Sequence, residues 1–311
     1  MKKRGSKRTN ASYKWWLLAL SGLSIAAMVY AIQRAGTAGA ESSPFNEQRA
    51  DADLRTLVGF GPRPAGSDAI AKARNYIVSE LEKVGLKPQL DEFNANTPKG
   101  VRKMVNIRAV RPGANSSILA LAGHYDTKLY DFTFVGANDG GSSAAWLLEM
   151  ARSTADLKLQ NTIEFVFFDG EEAVGDWTDD DSLYGSRFDV DRRYRNGSLR
   201  DLKALILVDM IGEKNVRIPK ESQSTDWLNS IIWNTAHSLG YSREFPNENQ
   251  SVLDDHLPFL KAGIPAVDLI DIDYPYWHTV ADTPDKTSAA SLKIVGDTLL
   301  AWLVERAAPA D

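Results

Sequence analysis

The sequence predicts an α/β fold: a single three-layer domain on a largely parallel mixed central sheet, with a membrane or signal helix at the N-terminus. Three observations carry this. Short apolar runs recur along the chain and each stops on a polar residue, as strands do when both faces of a sheet are covered. Stretches with helical spacing lie between those runs. Beyond residue 45 there is no second linker, internal repeat or low-complexity block, so most of the 311 residues belong to one unit. At 43% hydrophobic and 25% charged, the chain can bury a real core.

The chain opens with a basic segment, residues 1–14. Trp15–Ile32, "WWLLALSGLSIAAMVYAI", follows with eighteen residues and no charge. A membrane helix needs roughly 20 such residues and a signal-peptide core about 7–15. We read an uncleaved signal anchor ahead of a signal peptide cleaved after Ala40, although "AGA" at Ala38–Ala40 resembles a cleavage site. The basic side stays in the cytoplasm, which places the remainder outside it. Residues 33–45 read as a linker and 46–311 as the catalytic domain.

Within that domain Ser67 caps a helix over Asp68–Val84, with Ile70, Ala73, Ile77, Leu81 and Val84 on one stripe and Gly85 closing it. Met104–Val110 and Ser117–Gly123 read as strands, the second ending at His124. A helix starts at Ser142, and Thr162–Phe168 is another buried strand. Ala204–Gly212 repeats the strand pattern. A helix over 224–240, a strand over Ile264–Ile270 and a last helix from about Ser288 to Arg306 complete the alternation.

Charge and composition exclude several functions. The chain has no cysteine, which removes disulfides, thiolate metal sites and cysteine nucleophiles. Residues 1–40 hold seven basic and no acidic residues, so a net charge of −5 conceals −12 on the remainder. That balance argues against a nucleic-acid partner and fits a cationic or metal-assisted substrate.

Polar residues gather where strands end. His124 and Asp126 follow one strand, Glu171 and Glu172 another, Asp209 sits near the end of a third, and His278 follows the loop after a fourth. Ligand sites of open α/β sheets lie beyond the carboxyl ends of the strands. Asp139, in "GANDGGSSAAW", is carried to the same edge by a glycine-rich loop. Singly, each has a structural reading: Asp139 as a helix N-cap, a histidine near a strand end as a hydrogen-bonded brace. Asp209 in an apolar strand is costly unless paired. Together His124, Asp139, Glu172, Asp209 and His278 supply the oxygen and imidazole donors that Zn²⁺ takes.

The blocks "GHYDTK", "FVGAND", "FFDGEEA", "DSLYGSR", "VDMIG", "DDHLPFL" and "YWHT" resemble, in order, those of the animal-type zinc-dependent glutaminyl-peptide cyclotransferases. These share a fold with the co-catalytic zinc aminopeptidases. The resemblance covers roughly Phe60 to the C-terminus. It implies one zinc on Asp139, Glu172 and His278, with Glu171 as general acid/base and Asp209 and Asp254 in the acidic network beside it. Trp177 and Trp277 match pocket aromatics, and Tyr274 is grouped with them at the substrate. In the aminopeptidases the matching positions imply two metals, with His124, Asp139 and Asp209 on the second and Asp139 bridging. Both ligand sets are complete here.

Three features favour the cyclase: the insertion "AVGDWTDDDSLY" after the paired glutamates, Asp254 where aminopeptidases usually have serine, and Trp277 directly before His278. "GANDGGSSAAWLLEMAR" and "ADTPDK" stand as close to aminopeptidase wording. Animal cyclases often carry a disulfide near the first histidine, where Gly123 stands in this cysteine-free chain; that departure points to a bacterial envelope protein. The expected substrates are peptides or proteins with N-terminal glutamine, converted to pyroglutamate with loss of ammonia. The alternatives are a zinc aminopeptidase and an inactive binding ectodomain. His256 is expected to brace the loop carrying Asp254, and His237 to have no acidic partner.

Overall fold

In the computed structural model, which describes residues 44–305, eight strands form. They are β1 (Gln89–Thr97), β2 (Gly100–Arg111), β3 (Ile118–His124), β4 (Thr162–Phe168), β5 (Leu202–Asp209), β6 (Lys220–Glu221), β7 (Asn249–Gln250) and β8 (Ala266–Ile270). Six make the central sheet in the order β1-β2-β4-β3-β5-β8, and β6 and β7 pair separately. β4, β3, β5 and β8 are mutually parallel, while β1 and β2 join antiparallel at one edge. The expected mixed, largely parallel sheet is therefore present. The expected N-terminal helix lies outside the described residues. Among the described residues no helix is long and apolar enough to cross a membrane.

The apolar runs read as continuous because alternate side chains enter two different cores. Leu119, Leu121, Ile163, Phe165, Ile206 and Val208 face the larger core. Ala120, Ala122, Val166, Phe168, Leu205 and Leu207 face the smaller one, with Phe259. Helices α1 (Glu47–Gly59), α2 (Asp68–Lys83), α3 (Gly141–Ser153), α5 (Asp226–Ser238) and α7 (Ala289–Glu305) form one outer layer. Helices α4 (Tyr184–Asn196) and α6 (His256–Lys261) form the other. Phe45, placed by sequence in the linker, is buried in the larger core, so the folded unit begins slightly earlier than expected.

Local chemistry sets the element ends. Ser67 Oγ accepts the Ile70 N–H at 3.1 Å, and Ile70, Ala73, Ile77 and Leu81 are buried as the stripe requires. The strand expected over 204–212 stops at Asp209, because Met210 adopts φ 47° and turns the chain.

Two glycines allow the approach that makes the site. A Cβ on Gly123 in β3 would meet Ser143 Cβ at 2.7 Å and the Val208 carbonyl oxygen at 2.9 Å, so α3 seats tightly on the sheet only with glycine there. Gly140 has φ 75°, and a Cβ on it would meet the Asp126 carbonyl oxygen at 2.4 Å and His124 Cε1 at 3.0 Å. Asp139 is thus delivered beside His124.

Candidate active site

The chain runs from β3 to β4 on one side and later to β5 on the other. The carboxyl ends of these strands therefore border a topological switch point. His124 ends β3, Glu171 and Glu172 follow β4, Asp209 ends β5 and His278 follows β8. A cavity of about 410 Å³ opens there, lined by Asp139, Glu171, Glu172, Asp209, Asp254 and His278, with Trp177 and Trp277 on its walls. All eight were singled out by sequence, and one cavity gathers them.

Two sets of donors share Asp139. One ligand atom each from Asp139, Glu172 and His278 lies within 4.8 Å of the others, and the same holds for His124, Asp139 and Asp209. His278 Nε2 is 3.1 Å from Glu172 Oε1 and 3.3 Å from Asp139 Oδ2. His124 Nε2 is 3.1 Å from Asp209 Oδ1 and 3.2 Å from Asp139 Oδ1. Asp139 Oδ2 and Glu172 Oε2 are buried without a hydrogen-bond partner. Adjacent buried carboxylate oxygens left unsatisfied are costly unless a cation sits between them. The first set fits a divalent metal ion with a position left open toward the cavity. His124 belongs to the second set but does not line the cavity; it stands behind Asp139 and Asp209.

The loops are held by polar groups. Asp126 accepts the backbone N–H groups of Glu171 at 3.2 Å and Glu172 at 3.3 Å. Asp282 accepts the N–H of Asn138 at 2.8 Å and of Asp139 at 3.1 Å. Asn138 in turn receives the Gly212 N–H at 2.7 Å and donates to the Met210 carbonyl at 3.1 Å, tying the Asp139 loop to the turn after Asp209. Leu183, Met210 and His278 are the non-glycine residues with positive φ among those described, at 52°, 47° and 55°. His278 is a donor, Met210 follows Asp209, and Leu183 N–H bonds the Glu171 carbonyl at 2.8 Å, so this local strain lies in the site.

Burial and like charge dominate the electrostatics. Burial pushes the Glu171 carboxyl well above its ordinary range; Glu172, Asp254 and Asp255 add to this, and His124 opposes it. Burial, then Asp139, raises Glu172 to about 7 against the pull of His278. Burial would lower His278, but Asp139 and Glu172 hold it at about 9. Asp254 is pushed well up by burial, then by Asp209 and Asp255. Burial thus favours the protonated carboxyl at both Glu171 and Asp254.

Aromatic rings pack around the His278 imidazole. Trp277 stacks on His278 with centroids 4.4 Å apart, and Tyr130 and Phe134 meet the same imidazole edge-on at 5.7 and 5.8 Å. Tyr274 corrects an expectation. It does not line the cavity; it is buried, and its hydroxyl donates to Asp282 Oδ1 at 2.8 Å, because the turn after β8 points it at the Asp139 loop.

Asp254 does not cap α6 through its side chain. The residue preceding that helix is Asp255, and no side-chain capping bond forms. His256 Nε2 lies 3.1 Å from Glu221 Oε2, bracing the segment after Asp254 as expected, while His237 bonds the Phe245 carbonyl at 2.7 Å. Sequence reading assigned no role to Asp282, Asn138, Lys128 or the Tyr130–Phe134 segment. "ADTPDK" carried the one available signal for Asp282.

The profile of peptidase family M28 matches residues 106–303. The chain is 30% identical to the glutaminyl-peptide cyclotransferase-like protein of Mus musculus, over 78% of this chain and 72% of that protein. The crystal structure of Acidobacteriales bacterium glutaminyl cyclase is similar at a TM-score of 0.81 and 39% identity, covering 86% of this chain and 98% of that one. A leucine aminopeptidase precursor from Bacteroides thetaiotaomicron is similar at a TM-score of 0.79 and 27% identity, covering 83% and 97%.

Proposed function

The chain belongs to peptidase family M28, and within it we propose that this protein is a glutaminyl-peptide cyclotransferase, converting the N-terminal glutamine of peptides to pyroglutamate. The observation that carries the reading is the gathering of Glu171, Asp209 and Asp254 in one cavity with the Asp139–Glu172–His278 donors and two tryptophans. The higher identity to a glutaminyl cyclase than to the aminopeptidase precursor, 39% against 27%, supports it.

In the reaction the α-amine nitrogen bonds to the side-chain amide carbon, and that carbon loses its nitrogen as ammonia. A zinc ion on Asp139, Glu172 and His278 would supply a Lewis acid for the amide oxygen. Glu171 takes a proton from the attacking amine and returns it to the departing nitrogen. Asp254 and Asp209, buried in the same cavity, offer carboxylate oxygens to the amide NH₂. Trp177 and Trp277 flank a flat amide, fixing its orientation and excluding water that would compete with the amine. Asp126 holds Glu171 and Glu172 in register by their backbone N–H groups.

One observation keeps a second reading in view. His124, Asp139 and Asp209 form a second donor set sharing Asp139 with the first, as a two-metal aminopeptidase would require. Ammonia release decides between them. A glutamine-initiated peptide should yield ammonia and a leucine-initiated peptide should yield nothing; free leucine from the latter would establish the aminopeptidase. We further propose that residues 15–32, eighteen in number and uncharged after a basic start, anchor or export the domain so that it acts outside the cytoplasm in a bacterial envelope.

A further inference from the structure

A second cavity, of about 350 Å³, adjoins the catalytic one, and Trp177 and Leu253 line both. These shared side chains are 38% and 55% exposed and form one apolar wall common to both cavities. Val190 of α4 and Leu257 and Pro258 of α6 continue the apolar lining. Two of the four charged residues that line it, Arg187 and Asp191, are held by neighbours. Arg187 donates to the carbonyls of Asp179 at 3.0 Å and Asp180 at 3.2 Å, and Asp191 is bonded by Arg195 at 2.8 Å. What the second cavity offers is chiefly an apolar surface.

The catalytic cavity does not suit a free amino acid. Its lining holds the carboxyl groups of Asp139, Glu171, Glu172, Asp176, Asp209 and Asp254. The one lysine among its lining residues, Lys128, donates to the Ala173 carbonyl at 3.1 Å and lies 3.8 Å from Glu172. A free α-carboxylate would meet repulsion there, whereas a peptide bond carries no charge. The chain that follows the glutamine advances about 3.3 Å per extended residue, so its second and third side chains come within reach of the shared wall.

We infer that the second cavity receives the residues following the N-terminal glutamine, so that the substrates are extended peptides with an apolar side chain at the second or third position. This rests on the cyclotransferase reading. Binding energy gathered at a distance from the reacting atoms appears in kcat/KM.

The test compares glutamine amide, Gln-Gly-Gly amide and Gln-Leu-Leu amide, using the full-length protein and a Val190→Asn variant. Val190 lines only the second cavity. The wild type should turn over the leucine tripeptide with kcat/KM about tenfold above the glycine one. Val190→Asn should shrink that ratio severalfold and leave glutamine amide unchanged. Equal values for the two tripeptides in the wild type overturn the inference, and this arm stands even where the variant does not fold. An equal loss on glutamine amide and on the leucine tripeptide in the variant also overturns it. Ammonia from none of the three compounds rejects the cyclotransferase reading itself, and the inference with it; ammonia from all three at one rate rejects only the inference.

Discussion

Asp126 Oδ1 accepts the backbone N–H of Glu171 at 3.2 Å, and its other oxygen accepts that of Glu172 at 3.3 Å. One carboxylate at the end of β3 therefore sets both the proposed proton carrier and a proposed metal donor at the end of β4. Asp126→Asn replaces one acceptor by an NH₂ facing an N–H donor. We expect turnover to fall on the order of 10–100-fold, the range for groups that orient a metal site. Steady-state kinetics beside a melting curve checks this; full activity in a folded variant would show that the backbone N–H groups need no such tether.

Loss of a metal donor and loss of the proton carrier should look different. His278→Ala removes one of three donors and should lower zinc content, measured by elemental analysis, together with activity. Glu171→Gln keeps all three and should retain zinc while turnover drops about 10²–10⁴-fold. Chelation of the wild type should abolish activity, and zinc should restore it. Undiminished turnover in metal-free protein would contradict the site.

Asp254 is buried, its Oδ1 accepts the neighbouring Asp255 N–H, and its carboxyl meets that of Asp268. A capping role would have made its loss mainly a stability defect of about 1 kcal/mol; no such cap exists. Asp254→Asn should therefore cut cyclisation on the order of 10²-fold without lowering the melting temperature. A destabilised variant with near-normal turnover would reverse the assignment.

Burial, opposed by the Ser186 hydrogen bond, pushes Asp255 from an ordinary 3.8 to about 7. Between those values the folded state keeps a proton that the unfolded chain has released. Stability from this group is thus lost as pH rises through the window, not gained. Asp255→Asn retains an oxygen acceptor for Ser186 and cannot ionise. Its melting temperature relative to wild type should rise from pH 4 to pH 8, the gain at pH 8 being up to about 4 kcal/mol. A gain independent of pH would show that Asp255 is already ionised in the folded protein at low pH.

The parallel strands were legible because two-sided burial makes each an unbroken apolar run, and the donors were legible because they follow those runs. β1 was not, since its side chains are mostly exposed or half-buried and leave no apolar signal. α4, "YGSRFDVDRRYRN", escaped for the opposite reason. Its inward face is charged: Arg193 pairs with Asp189 at 2.6 Å and with Glu164 of β4, so ion pairs replace the apolar stripe. α1 was passed over beside the expected linker, although Asn46 caps it by accepting the Arg49 N–H at 2.9 Å. Asp126 and Asp282 escaped assignment because they act on backbone N–H groups distant in sequence, which no spacing reveals. Tyr274 was grouped with the pocket aromatics because the sequence does not say where the turn after β8 sends its ring.

The central claim is that Glu171, beside the Asp139–Glu172–His278 donors, drives an amine onto its own side-chain amide. The most direct measurement is the intact mass of a glutamine-initiated peptide after incubation with zinc-loaded wild type and with Glu171→Gln. The account predicts that the wild-type product is lighter by one ammonia with every residue retained, and that the variant leaves the peptide unchanged. A product shortened by its whole first residue, with free glutamine in solution, would contradict it.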